Sequence, residues 1–398
     1  MFFRRIVDIK ALMMAAAALL CGCSDDNAPS PVIEGGGEAD IVLTLCTYRS
    51  ETGPTSRAGG HETEAASAKE NLIDIDGGDY RVLIFGKDGR LLERFIPTEF
   101  VSVNTVDYSG YSVSGRITQT DFMGNADGSY EFQIMVLANW ESLGGIGCYE
   151  NFELIPGKTF ISDVVSMARE KTYRLSSAAG WRPFKDDFKG IPMFGLGYMK
   201  VTAEQVAVSS PESPINVGEI SMLRAMAKIE IIDNIAPADD STRPEITGAT
   251  VSSHLLDGTF VPDLTANPDW ADGAIQVVRP TEPFDAVSAT APLSFFNAGK
   301  NTDDNVVYSV YVAEQDFSKL RAKVSVRVKA DGAEADYDMQ LAEYQGGKPV
   351  KPLESFLRNH IYRFEIVSVS PAGESGQLIV RWTVCPMDKP DDVDIDFS

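Results

Sequence analysis

The sequence predicts an all-β protein made of two tandem β-sandwich domains with few and short helices. Apolar and polar residues alternate over most of the chain, which is the period-two pattern of half-buried strands. Short strand-like runs are separated by turns rich in Gly, Asp and Ser, as in a sandwich. The length of 398 residues exceeds one comfortable core and suits two domains with flanking segments.

The composition limits the kinds of function. Hydrophobic residues make up 44% of the chain, enough to build real cores, so wholesale disorder is not expected. The formal net charge of −23 repels nucleic acid and anionic headgroups, which disfavours phosphate-binding roles. The three histidines leave little material for metal or acid–base sites. We therefore expect no nucleic-acid partner, no metal and no cofactor.

Residues 1–22 have the organisation of a signal peptide. Arg4, Arg5 and Lys10 form a basic start, and an apolar run follows from Ala11 to Leu20. A membrane-spanning helix needs about 20 apolar residues, so this run is too short to be one. We expect the segment to direct export and to be removed.

The apolar run ends in Leu20-Cys21-Gly22-Cys23, which resembles a bacterial lipobox. The resemblance implies cleavage after Gly22 and lipidation, including palmitate, at Cys23. The alternative is an ordinary secretory signal whose cysteines are incidental. Residues 23–38, rich in Ser, Asp, Pro and Gly, are predicted to be a flexible tether. Ser24-Asp25-Asp26 resembles the acidic signal of surface-exposed Bacteroidales lipoproteins, so the expected location is the outer face of the outer membrane.

The N-terminal domain is predicted over 39–218. Its first strand covers 39–48, and the polar segment 49–68 follows as an exposed loop. Asp88-Gly89 predicts a hairpin turn, because Gly readily adopts positive φ. Glycine and proline make 186–199 irregular in this prediction. Further elements are strands over 79–85, 91–96 and 129–139 and a short helix over 161–169.

A C-terminal domain is predicted over 219–398. It opens with the strand-rich block 220–232. Short strand candidates then recur at the spacing of a sandwich with Greek-key-like connections. They cover 246–253, 306–313, 322–330, 362–369 and 378–384.

No catalytic motif stands out, so the protein is predicted not to be an enzyme. The acidic cluster 74–79 has the oxygen atoms that calcium prefers, but it lacks a full calcium-loop pattern, so a solvated turn is the preferred interpretation. Cys46, Cys148 and Cys385 lack metal-site spacing and are expected to be buried thiols. Their odd number leaves open whether one pair forms a disulfide.

Several fragments together resemble the fimbrillin superfamily of the Bacteroidales, the subunits of type V fimbriae. The closest likeness is to the FimB/Mfa-type fimbrial subunit and anchor family, and it covers roughly residues 39–398. The fragments are Tyr80–Phe85 with Asp88-Gly89, Val136–Trp140, Ile191–Met193, Leu223–Ile229, Leu357–Phe364 and Val380–Val384.

The resemblance implies two transthyretin-like β-sandwich domains and assembly by strand exchange, with other fimbrial subunits as partners. It also implies that a protease cuts the surface precursor after an arginine. The cut releases the N-terminal strand and opens a groove, which a strand of the next subunit fills. Host or bacterial surface ligands are further expected partners of such a fimbrium.

The strand 39–48 is the candidate exchangeable strand. On alternation, Ile41, Leu43 and Leu45 lie on one face, and Val42 and Cys46 lie on the other. The loop after it holds Arg57-Ala58 between Pro54 and Gly59-Gly60, and a protease needs such an accessible backbone. Arg57 is the candidate cleavage site, with Arg49 second; the alternative is that Arg57 is a solvated loop residue.

Val393, Ile395 and Phe397 alternate with acidic residues and form a candidate donor strand. They could equally form the last strand of their own domain. The family resemblance leaves open whether the protein is an uncut anchor or a cut stalk or tip subunit.

Two rival functions belong to other classes. A lipid-anchored surface glycan-binding protein would need aromatic side chains converging on one face, and Trp140, Trp181, Trp270 and Trp382 are scattered. A surface hydrolase would need carboxylates or a triad gathered in a pocket.

Overall fold

The protein is all-β. The computed structural model describes residues 38–49, 69–104, 108–118, 128–144, 149, 153–175, 190–236, 243–264, 277, 279–301, 303–370 and 378–386. These described residues form one compact unit. The described residues form strands β1 to β23, the short helices Trp140–Gly144, Ile161–Arg169 and Ala203–Val208, and a 3-10 turn at Lys69–Asn71. The predicted fold class is confirmed.

One eight-stranded sheet builds the N-terminal half. Its strand order is β3-β2-β6-β8-β9-β1-β5-β4. Its two ends enclose one hydrophobic core, to which β1, β2, β5, β6, β8 and β9 all contribute side chains. The strands are β1 (Ala39–Arg49), β2 (Tyr80–Gly86), β3 (Leu91–Phe95), β4 (Glu99–Asn104), β5 (Tyr108–Ile117), β6 (Ser129–Ala138), β8 (Met193–Thr202) and β9 (Ile215–Arg224).

Two sheets build the C-terminal half and enclose a second core. Their strand orders are β14-β15-β10-β22-β23 and β13-β11-β17-β18. The first sheet holds β10 (Met226–Asp233), β14 (Phe296–Lys300), β15 (Val306–Ala313), β22 (His360–Val369) and β23 (Leu378–Pro386). The second holds β11 (Glu245–Ser252), β13 (Leu293–Ser294), β17 (Lys323–Ala330) and β18 (Ala333–Met339).

Three short strand pairs complete the fold. They are β7 (Thr172–Arg174) with β12 (Asp257–Thr259), β16 (Gln315–Asp316) with β21 (Ser355–Phe356), and β19 (Ala342–Gln345) with β20 (Lys348–Pro352). The β7–β12 pair joins the two halves directly.

A third core lies where the two halves meet. It combines Phe85, Leu137 and Phe194 of the N-terminal sheet with Phe260 and Tyr311 of the C-terminal half. Strands β2, β6 and β8 are therefore covered on both faces. This explains why they are near-continuous apolar runs rather than alternating ones.

The predicted irregular segment 186–199 is wrong over its second part, because β8 begins at Met193. Gly195 and Gly197 of this segment let side chains of β9 pack closely against β8. A Cβ on Gly195 would lie 2.6 Å from Met222 Sδ, and one on Gly197 would lie 2.7 Å from Ile220 Cγ1. Glycine therefore serves here as the residue that lets a neighbouring side chain approach the strand.

The chain passes from the N-terminal half to the C-terminal half at Ala225. Strand β9 runs through residue 218 into Arg224 and belongs to the N-terminal sheet, and β10 starts at Met226 in the C-terminal one. The block 220–232 thus contains the end of β9 and most of β10. The division into domains at residue 218 stays a prediction.

Candidate functional site

Strand β1 lies between two neighbours in the N-terminal sheet. It pairs antiparallel with β5, from Ala39 opposite Ile117 to Arg49 opposite Tyr108. On its other side it pairs parallel with β9, where Leu45 lies opposite Ile220. Because both ladders depend on β1, its removal would leave unpaired backbone groups on two strands at once.

One face of β1 is fully inside the N-terminal core. Ile41, Leu43 and Leu45 are 1%, 0% and 0% exposed. Val42 and Thr44, on the opposite face, are half-buried. The strand therefore presents an apolar row inward and a mixed row outward, and this row would define the shape of a vacated groove.

Charged side chains hold the start of β1. The Arg116 guanidinium of β5 donates from Nε to Asp40 Oδ1 at 3.1 Å and from Nη2 to Asp40 Oδ2 at 2.9 Å. It also donates from Nη1 to Glu38 Oε2 at 2.8 Å. The hydrogen bonds to Asp40 and then to Glu38 raise the pKa of Arg116. The Asp40 backbone N–H donates to Ser209 Oγ at 3.2 Å, so the helix end Ala203–Val208 closes over the same point.

A buried arginine holds the end of β1. Arg224 is 0% exposed, and its Nη2 donates to the Thr47 carbonyl at 2.6 Å. The same guanidinium donates to the Glu70 carbonyl, to Asn71 Oδ1 and to Asn359 Oδ1. Arg224 thus ties the end of β1 to the 3-10 turn Lys69–Asn71 and to the C-terminal half.

A chain of buried charges continues from this point. Lys228 Nζ lies 3.3 Å from Glu70 Oε2 and 2.8 Å from Glu230 Oε1, and Arg363 Nε lies 2.9 Å from Glu230 Oε2. Tyr311 donates its hydroxyl to Glu70. Burial by itself lowers the pKa of Lys228, but Glu230, Glu70 and Tyr311 outweigh it, so the pKa is raised well above its ordinary value. Burial and the Glu70 charge also raise the pKa of Tyr311.

The candidate site residues from the sequence fall into two groups. Ile41, Val42, Leu43 and Leu45 lie side by side in β1 as expected from alternation. The others, Cys23, Arg57, Ala58, Val393, Ile395 and Phe397, lie outside the described residues. Their assignments stay predictions.

Sequence reasoning missed the two arginines that hold β1. The predicted strands leave out 108–117, where Arg116 lies in β5. Arg224 had a usable signal, because it stands with Lys228 and Glu230 in the otherwise apolar block 220–232. A charge in a strand buried on both faces needs a partner, so such residues mark a polar network.

Two acidic side chains of the cluster 74–79 accept hydrogen bonds from other groups of the protein. Asp74 Oδ1 accepts from the Gly77 N–H at 2.9 Å, as in an Asx turn. Asp79 Oδ1 accepts from the Tyr149 hydroxyl at 2.8 Å and from the Glu141 N–H at 3.0 Å. No metal-like group of three His, Cys, Asp or Glu side chains occurs in the part of the chain that the structure describes.

Two of the four tryptophans are described, and both pack against cores. Trp140 is 0% exposed, donates from Nε1 to the Met193 carbonyl at 2.9 Å and stacks on Phe260. Trp382 packs against the C-terminal core. Trp140 therefore offers no open ring face for sugar stacking, whereas Trp382 is half-buried.

Cys46 is buried at 3% exposure in β1. Cys148 lies outside the described residues, as does the side chain of Cys385. Among the described helices, none combines the length and the apolar character needed to cross a membrane.

The fold of this chain is similar to that of several solved structures. No protein-family model and no curated protein matches the sequence. A fimbrial assembly protein from Parabacteroides distasonis aligns with a TM-score of 0.45 and 15% identity, over 88% of this chain and 96% of that one. A protein named for cell adhesion from Bacteroides eggerthii aligns with a TM-score of 0.40 and 13% identity, over 87% and 96%. A protein named for polysaccharide binding from Bacteroides thetaiotaomicron aligns with a TM-score of 0.33 and 13% identity, over 90% and 100%.

Proposed function

We propose that the protein is a structural component of cell-surface fimbriae, either an anchor or a minor or tip subunit. It assembles by exchange of a β-strand and so supports adhesion. Its partners are other fimbrial subunits, and its lipid at Cys23 attaches it to the outer membrane. The order of family-like fragments behind a lipobox supports this proposal, and β1 supplies the physical means.

The observation that carries the proposal is the position of β1. It is the first strand of the described chain, it pairs on both sides, and its core face is fully buried. In sequence it is followed by the polar segment 50–68, which contains Arg57. A cut there would leave β1 held by non-covalent contacts alone.

Magnitudes favour refilling of a vacated groove. Ile41, Leu43 and Leu45 contribute roughly 5–9 kcal/mol, at about 1.5–3 kcal/mol for each buried side chain. The unpaired N–H and C=O groups of β5 and β9 would add a cost for each group left without a partner. An incoming extended strand relieves both costs, which is β-augmentation. The segment with Val393, Ile395 and Phe397 is the proposed donor.

The two roles differ in what happens at Arg57. An uncut protein keeps its lipid and its own β1, and it ends the fibre at the membrane. A protein cut between Arg57 and Ala58 loses both and becomes a stalk or tip subunit.

The test is the mass of the protein recovered from the cells that make it. An intact chain starting at lipidated Cys23 is expected for an anchor, and a chain starting at Ala58 is expected for a polymerising subunit. In the subunit case, Arg57→Ala blocks conversion and fibre growth, whereas the control Arg49→Ala converts normally. Unchanged mass and unchanged fibres in Arg57→Ala would overturn the cleavage site.

A further inference from the structure

We propose that the end of the β1 position contains a hydroxyl seat, formed by Ser109 and Arg224, which selects the strands that can fill the vacated groove. The inference rests on the proposed strand exchange. The occupant it assigns is an extended strand of another fimbrial subunit that carries Thr or Ser two residues after its last core-facing apolar residue. In the folded chain, Thr47 of β1 takes this place.

Thr47 is a polar residue in the interior at the end of β1. It is 0% exposed, as is Leu45 two residues earlier. The register of the β1–β5 ladder shifts between Cys46 and Tyr48, so Thr47 has no residue opposite it in either ladder of the described strand. An extra residue of this kind is a β-bulge, and its buried polar groups need partners outside the regular ladder.

Ser109 and Arg224 supply those partners. The Thr47 hydroxyl donates to the Ser109 carbonyl at 3.0 Å and lies 3.4 Å from Ser109 Oγ. The Thr47 carbonyl accepts from Arg224 Nη2 at 2.6 Å. The first contact requires a short side chain that can donate, whereas the second can be made by the backbone of any residue. Ser109 therefore distinguishes the side chains that fit, and Arg224 holds the main chain.

The partners that fix Arg224 do not come from β1. Arg224 Nε donates to the Glu70 carbonyl at 3.0 Å, and Nη1 donates to Asn359 Oδ1 at 2.9 Å. Nη2 also donates to Asn71 Oδ1. All three acceptors lie after the proposed cut, so cutting within residues 50–68 leaves them on the same piece as Arg224. A guanidinium held in this way is preorganised, because an incoming strand does not have to order it.

The apolar row alone cannot supply this selection. Side chains alternate with a period of two, so a slip by two residues still turns Ile41, Leu43 or Leu45 toward the core. In β1 itself, such a slip in one direction would bring Leu45 into the hydroxyl seat. The opposite slip would bring Arg49 there, a second cation beside Arg224. The seat therefore distinguishes registers that the apolar row leaves equivalent.

The test uses the full chain with a site-specific protease sequence placed within residues 50–68. After cutting, a fluorescent 38–48 peptide is added in excess, and its entry is followed by anisotropy. The peptide is amidated at its C-terminus, which keeps an extra carboxylate away from Arg224. Unlabelled variant peptides then compete with it, and the concentration that displaces half of the label is measured.

Two threonines of the same peptide give a matched comparison. Thr47→Val removes the hydroxyl at nearly constant shape and is expected to weaken competition roughly tenfold, because the buried Ser109 carbonyl loses its donor. Thr44→Val makes the same change on the half-buried outward face and is expected to alter competition by about twofold at most. Thr47→Ser is expected to compete better than Thr47→Val, although it buries less apolar surface.

A protein variant tests the second half of the seat. Arg224→Lys is expected to weaken the unaltered peptide and the Thr47→Val peptide by the same factor, because Arg224 binds the main-chain carbonyl. The matched control is Arg321→Lys, since Arg321 donates to the Leu341 and Leu353 carbonyls in the C-terminal half. The peptide series on the unchanged protein decides the role of Ser109 even if Arg224→Lys misfolds.

The outcomes separate the two proposals. If the unaltered 38–48 peptide does not enter the cut chain, the proposed strand exchange fails. If it enters and Thr47→Val competes as well as the unaltered peptide, or better than Thr47→Ser, the hydroxyl seat is overturned while exchange stands. If folded Arg224→Lys binds the unaltered peptide as tightly as the unchanged protein does, Arg224 is not part of the seat.

Discussion

Strands β1 and β10 hold the same place in the two halves of the molecule. Each is antiparallel to one neighbour, β5 or β15, and parallel to the other, β9 or β22. Each also carries an acid opposite an arginine, Asp40 with Arg116 and Glu230 with Arg363. Ladder geometry alone therefore does not make a strand exchangeable.

The two strands differ in their connections and in where their charges lie. Strand β10 follows β9 after the single residue Ala225, and its Glu230 pairs in the interior. Strand β1 keeps its charge pair at the rim and an apolar row inside, and a long polar segment follows it. Removing β10 would leave charges unpaired in the interior, whereas removing β1 leaves mostly an apolar groove that any matching strand can fill.

The largest expected effect compares matched core residues of the two strands. Leu43→Ala in β1 and Ile231→Ala in β10 each remove a side chain that is 0% exposed. Each is expected to lower the free energy of unfolding by about 2–5 kcal/mol, measured in urea. Equal losses in the intact chain would show that both strands carry comparable packing energy.

The comparison sharpens when β1 is supplied from outside. In the chain cut within residues 50–68, an unaltered 38–48 peptide is expected to replace the Leu43→Ala strand and restore stability. No peptide is expected to rescue Ile231→Ala, because β10 remains covalently connected at both ends. Rescue of both variants, or of neither, would contradict the difference between the strands.

A smaller effect is expected from glycine. Gly195→Ala in β8 places a Cβ 2.6 Å from Met222 Sδ and 2.8 Å from Ile220 Cγ2 and should cost about 1–3 kcal/mol of unfolding free energy. The control Gly248→Ala lies in β11, where a Cβ meets nothing within 4 Å. An unfolding midpoint of Gly195→Ala that equals that of Gly248→Ala would show that β9 does not depend on this close approach.

The smallest effect is a pH dependence on the β10 side. The pKa values of Lys228 and Tyr311 are raised in the folded state. Both groups therefore stabilise the folded state fully at a pH below their unfolded pKa values, which are about 10. This contribution is lost as the pH rises through their folded pKa values. Tyr311→Phe removes one titrating group and should make the alkaline fall in the urea midpoint shallower. If the urea midpoint falls equally steeply in Tyr311→Phe, titration of Tyr311 does not cause the alkaline loss of stability.

The sequence pattern predicted correctly those elements whose spacing of apolar residues fits only a strand or only a helix. The strand over 39–48 appears as Ala39–Arg49, and the helix over 161–169 appears with the same bounds. Prediction failed at Gly195 and Gly197, because glycine is a common turn residue and the side chains that need its space come from β9. The passage from β9 to β10 at Ala225 has no local signal, because the block 220–232 is apolar on both sides of it.

By itself, the sequence determined the all-β class and which face of β1 is apolar. Both follow from alternation, which depends only on the backbone geometry of a strand. Only the tertiary structure decided that β1 lies between β5 and β9, that Arg116 and Arg224 hold its two ends, and that buried charges connect the halves. These contacts join residues far apart in the chain, such as Thr47 with Arg224 and Glu70 with Tyr311. No local pattern encodes which distant strand supplies the partner, because pairing is chosen by the packing of the whole core.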